Sequence, residues 1–200
     1  LDKKVWYYGK ILRGKATLIS LDVAPYFYAL SENYGSPEED YLIAYHEGRL
    51  TQASKQVYET LLEHGALNTL DLRKLSKLSN AKDSVFNKAL EQLQKDFKIL
   101  PVGVAPAGAW KYSHIYEIVT RHYPNLPEQA RVIKESQARA KLVGLYFDMV
   151  GAAQLRDVNK LFGWGNEETK KVVGRLLESG KLSVTQHPKY DGEWIALAGL

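Results

Sequence analysis

Lys10, Arg13 and Lys15 follow directly on the aromatic run Trp6-Tyr7-Tyr8. Lys111 stands between Trp110 and Tyr112, and Lys189 precedes Tyr190. Cations give phosphate oxygens a charged partner, and aromatic rings give bases a surface to stack on. Interleaved in this way they are the makings of a nucleic-acid surface. Lys10, Arg13, Lys15, Lys111 and Lys189 are therefore the candidate nucleic-acid-binding residues. The plainer reading of the same cations is solvated surface charge.

No other reactive constellation is local in the chain. His46, His64, His114, His122 and His187 include no pair spaced i, i+4 around a Glu, so the zincin signature is absent. There is no cysteine, which excludes disulfides and thiolate metal sites. Gly163-Trp164-Gly165 is too short for a phosphate loop, and no Gly-x-Ser-x-Gly elbow occurs. His64 is placed at a helix C-terminus, where a cation is favoured, and His187 at an exposed loop tip. The expectation is no catalytic residue, no metal and no small-molecule cofactor in this chain.

The net charge of +4 is unevenly spread. Residues 1–20 carry five cations against Asp2 alone, whereas residues 21–50 carry six acids against Arg49 alone. No apolar run reaches the ~18 residues of a membrane span, and no signal peptide is visible. A cytoplasmic location is expected. The chain opens on Leu1 without Met, directly in a strand-like stretch, so it reads as a fragment of something longer.

Positioning such surfaces requires a scaffold, and the scaffold is written twice. The first copy runs from about Ala53 to Tyr116, the second from about Ala138 to Ala198. Each begins with an amphipathic helix stopped by glycine: His64-Gly65-Ala66 and Val150-Gly151-Ala152. Each continues with a short helix, Asp71-Leu72-Arg73-Lys74-Leu75 and Asp157-Val158-Asn159-Lys160-Leu161, and then a third. Each closes on Gly-x-Trp, at Gly108-Ala109-Trp110 and Gly192-Glu193-Trp194, leading into a strand. The glycines that end the first helices are 86 positions apart, and those of the Gly-x-Trp triplets 84. Three helices followed by a hairpin is the winged-helix plan. The fold class expected is α+β, helix-dominated, with tandem winged-helix (helix-turn-helix) units and β-hairpin wings. The domains expected are an N-terminal hairpin with helices over 1–50, the remnant of a first winged helix. A winged helix over 51–119, a Pro-bounded linker over 120–134 and a second winged helix over 135–200 follow. Gly65 should superpose on Gly151, Leu72 on Val158, and Trp110 on Trp194, with both tryptophans closing cores beneath their wings.

Local signals fill in the elements. Val5–Leu12 and Ala16–Ser20 form a hairpin around Arg13-Gly14-Lys15. Asp22 is read as the cap of a helix to about Asn33, Thr69 as the cap of the second helix, and Asn80 as that of the third. A long helix is expected from about Pro127 to Met149. The outward positions of the third helices include Asp83, Lys88 and Glu91 in the first copy, and Glu167, Glu168, Lys170 and Lys171 in the second. Acids in a first helical turn complement the dipole but repel phosphate. DNA contact is therefore expected from the hairpin and wings, not from the third helices.

The hairpin segment Leu12-Arg13-Gly14-Lys15-Ala16-Thr17-Leu18 resembles a segment of winged-helix DNA glycosylases of the AlkZ/YcaQ type. So do Trp110-Lys111-Tyr112-Ser113 through Tyr116, Arg121 and Pro124, the block Val150-Gly151-Ala152-Ala153, and Asp157-Val158 with Leu161-Phe162-Gly163-Trp164. The four blocks keep their order, and the branch most similar is the AlkZ-related one. The resemblance implies a basic cradle for double-stranded DNA and a role in DNA repair. It also implies a catalytic Gln-x-Gln or Gln-x-Asp pair, which in the family lies upstream of the hairpin with which this chain begins. The literal match Gln92-Leu93-Gln94 is assigned no catalysis, because Leu93 belongs to the core stripe of a third helix and both glutamines flank it on the helix surface. The reading is a DNA-binding protein without the catalytic pair in this chain. The alternatives are a protein-protein interaction scaffold, and a glycosylase whose catalytic segment lies upstream.

Overall fold

The computed structural model describes residues 3–108 and 111–200. The chain is a helix-dominated α+β protein that divides into two compact units, one through Val132 and one from Ile133 to Leu200.

The first unit opens with a hairpin of β1 (Trp6–Leu12) and β2 (Lys15–Ser20). Arg13 and Gly14 connect them, both at positive φ (55° and 64°), as a two-residue type I′ turn requires. Glycine accepts that conformation without strain. Helices α1 (Ala24–Tyr28) and α2 (Asp40–His46) follow. Then come α3 (Gln52–His64), β3 (Leu67–Asn68), α4 (Thr69–Leu75), α5 (Asp83–Lys95), β4 (Ile99–Ala105) and β5 (Ser113–Ile118). Helices α6 (Val119–His122) and α7 (Leu126–Arg131) complete the unit. Two cores result. In one, α3, α4 and α5 bury Val57, Leu61, Leu72, Phe86 and Leu93 against Ile99 and Ile118 of the sheet. In the other, Tyr7, Ile11 and Ile19 of the hairpin pack with Tyr28, Phe97, Leu100, Val119 and Leu126.

The second unit contains α8 (Glu135–Val150), β6 (Ala152–Ala153), α9 (Leu155–Phe162), α10 (Asn166–Glu178), β7 (Leu182–Thr185) and β8 (Trp194–Leu197). Its core is Val143, Phe147, Ala153, Val158, Val172, Leu176, Leu182 and Ile195. Element order matches that of α3 to β5, and so does strand order: β3-β5-β4 in one sheet and β6-β8-β7 in the other. Gly65 and Gly151 end the first helices at nearly the same φ, 75° and 76°. Leu72 and Val158 are both fully buried in the second helices.

The expected match pairs Trp194 with Trp110, which lies outside the described residues. Tyr116 pairs with Leu67 and Pro101, while Ile195 pairs with Ala153 and Val184, so Tyr116 and Ile195, 79 positions apart, are equivalent. Trp194 then corresponds to Ile115. Trp194 is half-buried and does not close a core: its ring packs on His187 at 4.7 Å and Tyr190 at 6.3 Å.

The limits of several helices also differ from expectation. α1 ends at Tyr28, where the Ser31 hydroxyl donates to the Tyr28 carbonyl (2.7 Å), and its N-cap is Val23. Asn68, not Thr69, caps α4, accepting from the amides of Leu70 (3.0 Å) and Asp71 (3.1 Å). Thr69 donates its hydroxyl to the His114 carbonyl instead (3.0 Å). α5 has Lys82, not Asn80, at its N-cap. The helix expected over 127–149 is two helices, because the Gln137 carboxamide accepts the Lys134 amide (3.0 Å) and starts a fresh N-terminus there.

Candidate nucleic-acid interface

Strand β1 alternates cleanly between faces. Tyr7, Gly9 and Ile11 are buried, while Tyr8, Lys10 and Leu12 are half-buried on the other side. Tyr7 fixes the inward face, stacking on Phe97 (4.8 Å) and Tyr123 (5.9 Å). The outward face meets the wing of the first unit. The Tyr8 ring lies 6.2 Å from His114 of β5, and His114 lies 5.3 Å from Tyr112, edge to face. Tyr116 sits beneath His114 at 6.2 Å. Burial lowers the His114 pKa from the usual imidazole value, so the ring is neutral at pH 7, and its Nδ1 is buried without a partner.

The candidate cations take distinct places. Arg13 and Lys15 are exposed at the hairpin turn. Lys10 is half-buried and faces Glu91 of α5, with Nζ 3.8 Å from the carboxylate. Glu91 also crosses the turn, so that a β-carbon at Gly14 would collide with its carboxylate. Lys111 is exposed beside Tyr112, at φ 49°. Lys10 thus shares a strand face with Tyr8 and Lys111 adjoins Tyr112, the two ends of the ring contacts through His114, while Arg13 and Lys15 stand at the turn. Lys189 belongs to the second unit, exposed on its wing tip, where its amide donates to His187 Nδ1 (3.0 Å). His187, Tyr190 and Trp194 form a ring cluster there.

The acids at the starts of the third helices are engaged by cations. Asp83 accepts from Arg73 at 2.6 Å, Glu167 pairs with Lys170 at 3.1 Å, and Glu168 pairs with Arg139 at 3.0 Å. Their repulsion of phosphate is weaker than the sequence alone implies. The acid that bears on the hairpin cations is Glu91, far from them in sequence.

Gln92 and Gln94 both have structural partners. The Gln92 carboxamide oxygen accepts from the Ser54 hydroxyl (2.7 Å) and the Thr51 amide (3.3 Å) at the start of α3, and its nitrogen donates to the Arg49 carbonyl (2.6 Å). Gln94 does not lie on the surface. It is 2% exposed and donates to the Leu90 carbonyl. The reason is that the third helix is covered on a second side, towards the core that Phe97 shares with the hairpin.

Two polar features have no counterpart in the sequence reading. Lys98 is buried and donates to Asn33 (2.6 Å), and burial lowers its pKa while raising that of neighbouring Asp96. Asp40, also buried, accepts three backbone amides from Tyr34, Gly35 and Ser36. Separately, a cavity of about 440 Å³ is lined by Gly35, Thr120, Arg121, Pro127, Glu128 and Arg131, among others. Arg121 uses both terminal nitrogens to hold the carbonyls of Leu61 and Leu62 at the end of α3 (2.7 Å each). The contacts of Lys98 with Asn33 and of Arg121 with Leu61 and Leu62 join residues about 60 positions apart and so leave no sequence motif. No described helix is long and apolar enough to cross a membrane.

The fold has a counterpart among solved structures. It is similar to the DNA glycosylase AlkZ of Streptomyces sahachiroi, with a TM-score of 0.64 at 13% sequence identity. The match covers 98% of this chain and 53% of that one, so the chain spans about half the length of the glycosylase. No curated protein sequence matches it. The family model for AlkZ-related proteins matches residues 1–163, a span holding the hairpin, the whole first wing and the first two helices of the second unit. On that match the chain belongs to the AlkZ-related family.

Proposed function

We propose that this chain is a DNA-binding protein that grips the phosphate backbone of double-stranded DNA through its N-terminal hairpin and wings. The observation that carries the reading is the joining of the hairpin to the first wing. The contact of Tyr8 with His114 leaves Lys10 and Lys111 next to the residues of one run of rings, with Arg13 and Lys15 exposed at the turn, a combination of charge and rings suited to nucleic acid. Family membership and the likeness to a DNA glycosylase support DNA as the partner and DNA repair as the setting. Lys189, beside the ring cluster of the second wing, is proposed as a further phosphate contact.

No catalytic role is assigned to Gln92, whose carboxamide ties α5 to the start of α3, or to Gln94, which is buried and bonded within α5. In this reading the chain supplies binding and not bond cleavage. The test is titration of a labelled duplex at a series of salt concentrations. Phosphate contacts release condensed counterions, so affinity must fall linearly on a log–log plot, with a slope set by the number of contacts. Absence of measurable duplex binding at about 100 mM salt would favour an interaction scaffold instead.

A further inference from the structure

The outward face between hairpin and wing is more apolar than backbone binding requires. Leu18 stands directly opposite Tyr8 in the hairpin register, and Val104 directly opposite His114 in the wing. The contact between Tyr8 and His114 joins the two pairs, so Leu18, Tyr8, His114 and Val104 form one strip across two sheets. Leu18 is 62% exposed, Val104 52%, and Tyr112, packed edge-on against His114, 59%. Single exposed apolar residues are ordinary, but a contiguous run of them beside rings is not.

An intact duplex gives such a strip little to bind. Its bases cover one another's faces and present only edges in the grooves, with phosphates outside. Unpaired bases expose both faces and stack on protein rings with little regard to sequence. We infer that this face is a stacking surface for unpaired bases of a DNA strand, with Tyr8, His114 and Tyr112 as the platform and Lys10 and Lys111 beside it for the flanking phosphates. The inference rests on the DNA-binding reading above. Two further features fit the occupant. The charge bordering the strip complements a phosphate backbone. The rings of Tyr8 and Tyr112 on either side of His114 widen the strip to more than one residue's aromatic area.

Three labelled probes test this: a single strand, an intact duplex, and a duplex interrupted by a bubble of unpaired bases, each titrated by fluorescence anisotropy. The whole chain should prefer the single strand and the bubble to the intact duplex. Tyr112→Ala changes an exposed side chain, so the fold is spared. It should weaken the single strand and bubble by about 5- to 150-fold, the usual range for one lost stacking partner. Tyr112→Trp should restore binding. Duplex affinity should stay unchanged in both, and so should the salt slope on every probe, because stacking releases no counterions. Tyr8→Leu, checked by thermal melting, should repeat the pattern. Equal affinity for duplex and bubble, with Tyr112→Ala silent on all probes, overturns the inference and leaves duplex binding standing. Failure to bind any probe overturns the DNA reading itself.

Discussion

Removing the hairpin cations tests where charge meets DNA. Arg13 and Lys15 are exposed at the turn, and each is expected to neutralise one phosphate. At about 0.9 in the salt slope per contact, replacing both with Ala should flatten the slope by about 1.8. Lys10 would bring the total to about 2.7 if it were free, but its ammonium is shared with Glu91 at 3.8 Å. Both partners of that pair are nearly half exposed, so its own strength is at most about 1 kcal/mol, and a phosphate can compete for the lysine. The triple change of Lys10, Arg13 and Lys15 to Ala should therefore fall between these limits. Over a fourfold rise in salt, the wild type should lose about 12- to 40-fold more affinity than the triple variant. Glu91→Gln should act in the opposite sense, steepening the slope and tightening binding by freeing Lys10. The control is the joint change of Lys82, Lys88, Lys170 and Lys171 to Ala on the third helices, where Lys170 already pairs with Glu167. The assay is duplex titration by anisotropy from about 50 to 200 mM salt. A larger loss of slope in the helix set than in the hairpin set refutes the placement, and an unchanged Glu91→Gln variant refutes the role given to Glu91.

Stability offers further checks. Phe147→Ala empties a fully buried site in the second unit and should cost about 3–5 kcal/mol in a urea titration, whereas half-buried Trp194→Ala should cost less than Phe147→Ala; the reverse ranking would place Trp194 in the core after all. Gln92→Ala leaves Ser54 and the Arg49 carbonyl without their partner and should cost about 1–2 kcal/mol, seen as a lower denaturation midpoint; an unchanged midpoint would free Gln92 for another role. Burial lowers the pKa of both His114 and His122, so the folded state prefers the neutral imidazoles. Their contribution is fully present above the unfolded value of about 6.5 and is lost as pH falls through the lower folded values. Thermal melts from about pH 7.5 to 5 should therefore show a decline that is shallower in a His114→Gln, His122→Gln variant, and identical declines would remove the histidines from the account.

The scaffold was legible where local chemistry alone decides it. Glycine at positive φ ends α3 and α8, apolar residues at helical spacing bury one face of α5 and α10, and Arg13-Gly14 closes a two-residue hairpin. Register was not legible, because it depends on pairing between distant strands. The two-residue strands β3 and β6 are too short to leave a pattern, yet they fix how β5 and β8 are read. Matching tripeptides put Trp110 on Trp194, whereas ladder pairing puts Ile115 there.

The same division runs through the candidate site. The period of two that puts Lys10 and Tyr8 on one face of β1 needs no partner strand and is written in the sequence itself. Which groups meet that face was decided by tertiary packing. Tyr7 on the opposite side seats the hairpin against Phe97, just past the end of α5, and so brings Glu91 under the turn and His114 against Tyr8. One consequence opposes binding and the other favours it. Glu91 draws on the charge of Lys10, while His114 and Tyr112 extend a single strand's aromatic face into a surface wide enough for bases. A sequence count of cations sees neither effect. The contribution to DNA binding proposed for the hairpin therefore depends on the buried contact of Tyr7 with Phe97 as much as on Arg13 and Lys15: without that seat, the charges would remain but the proposed platform would not.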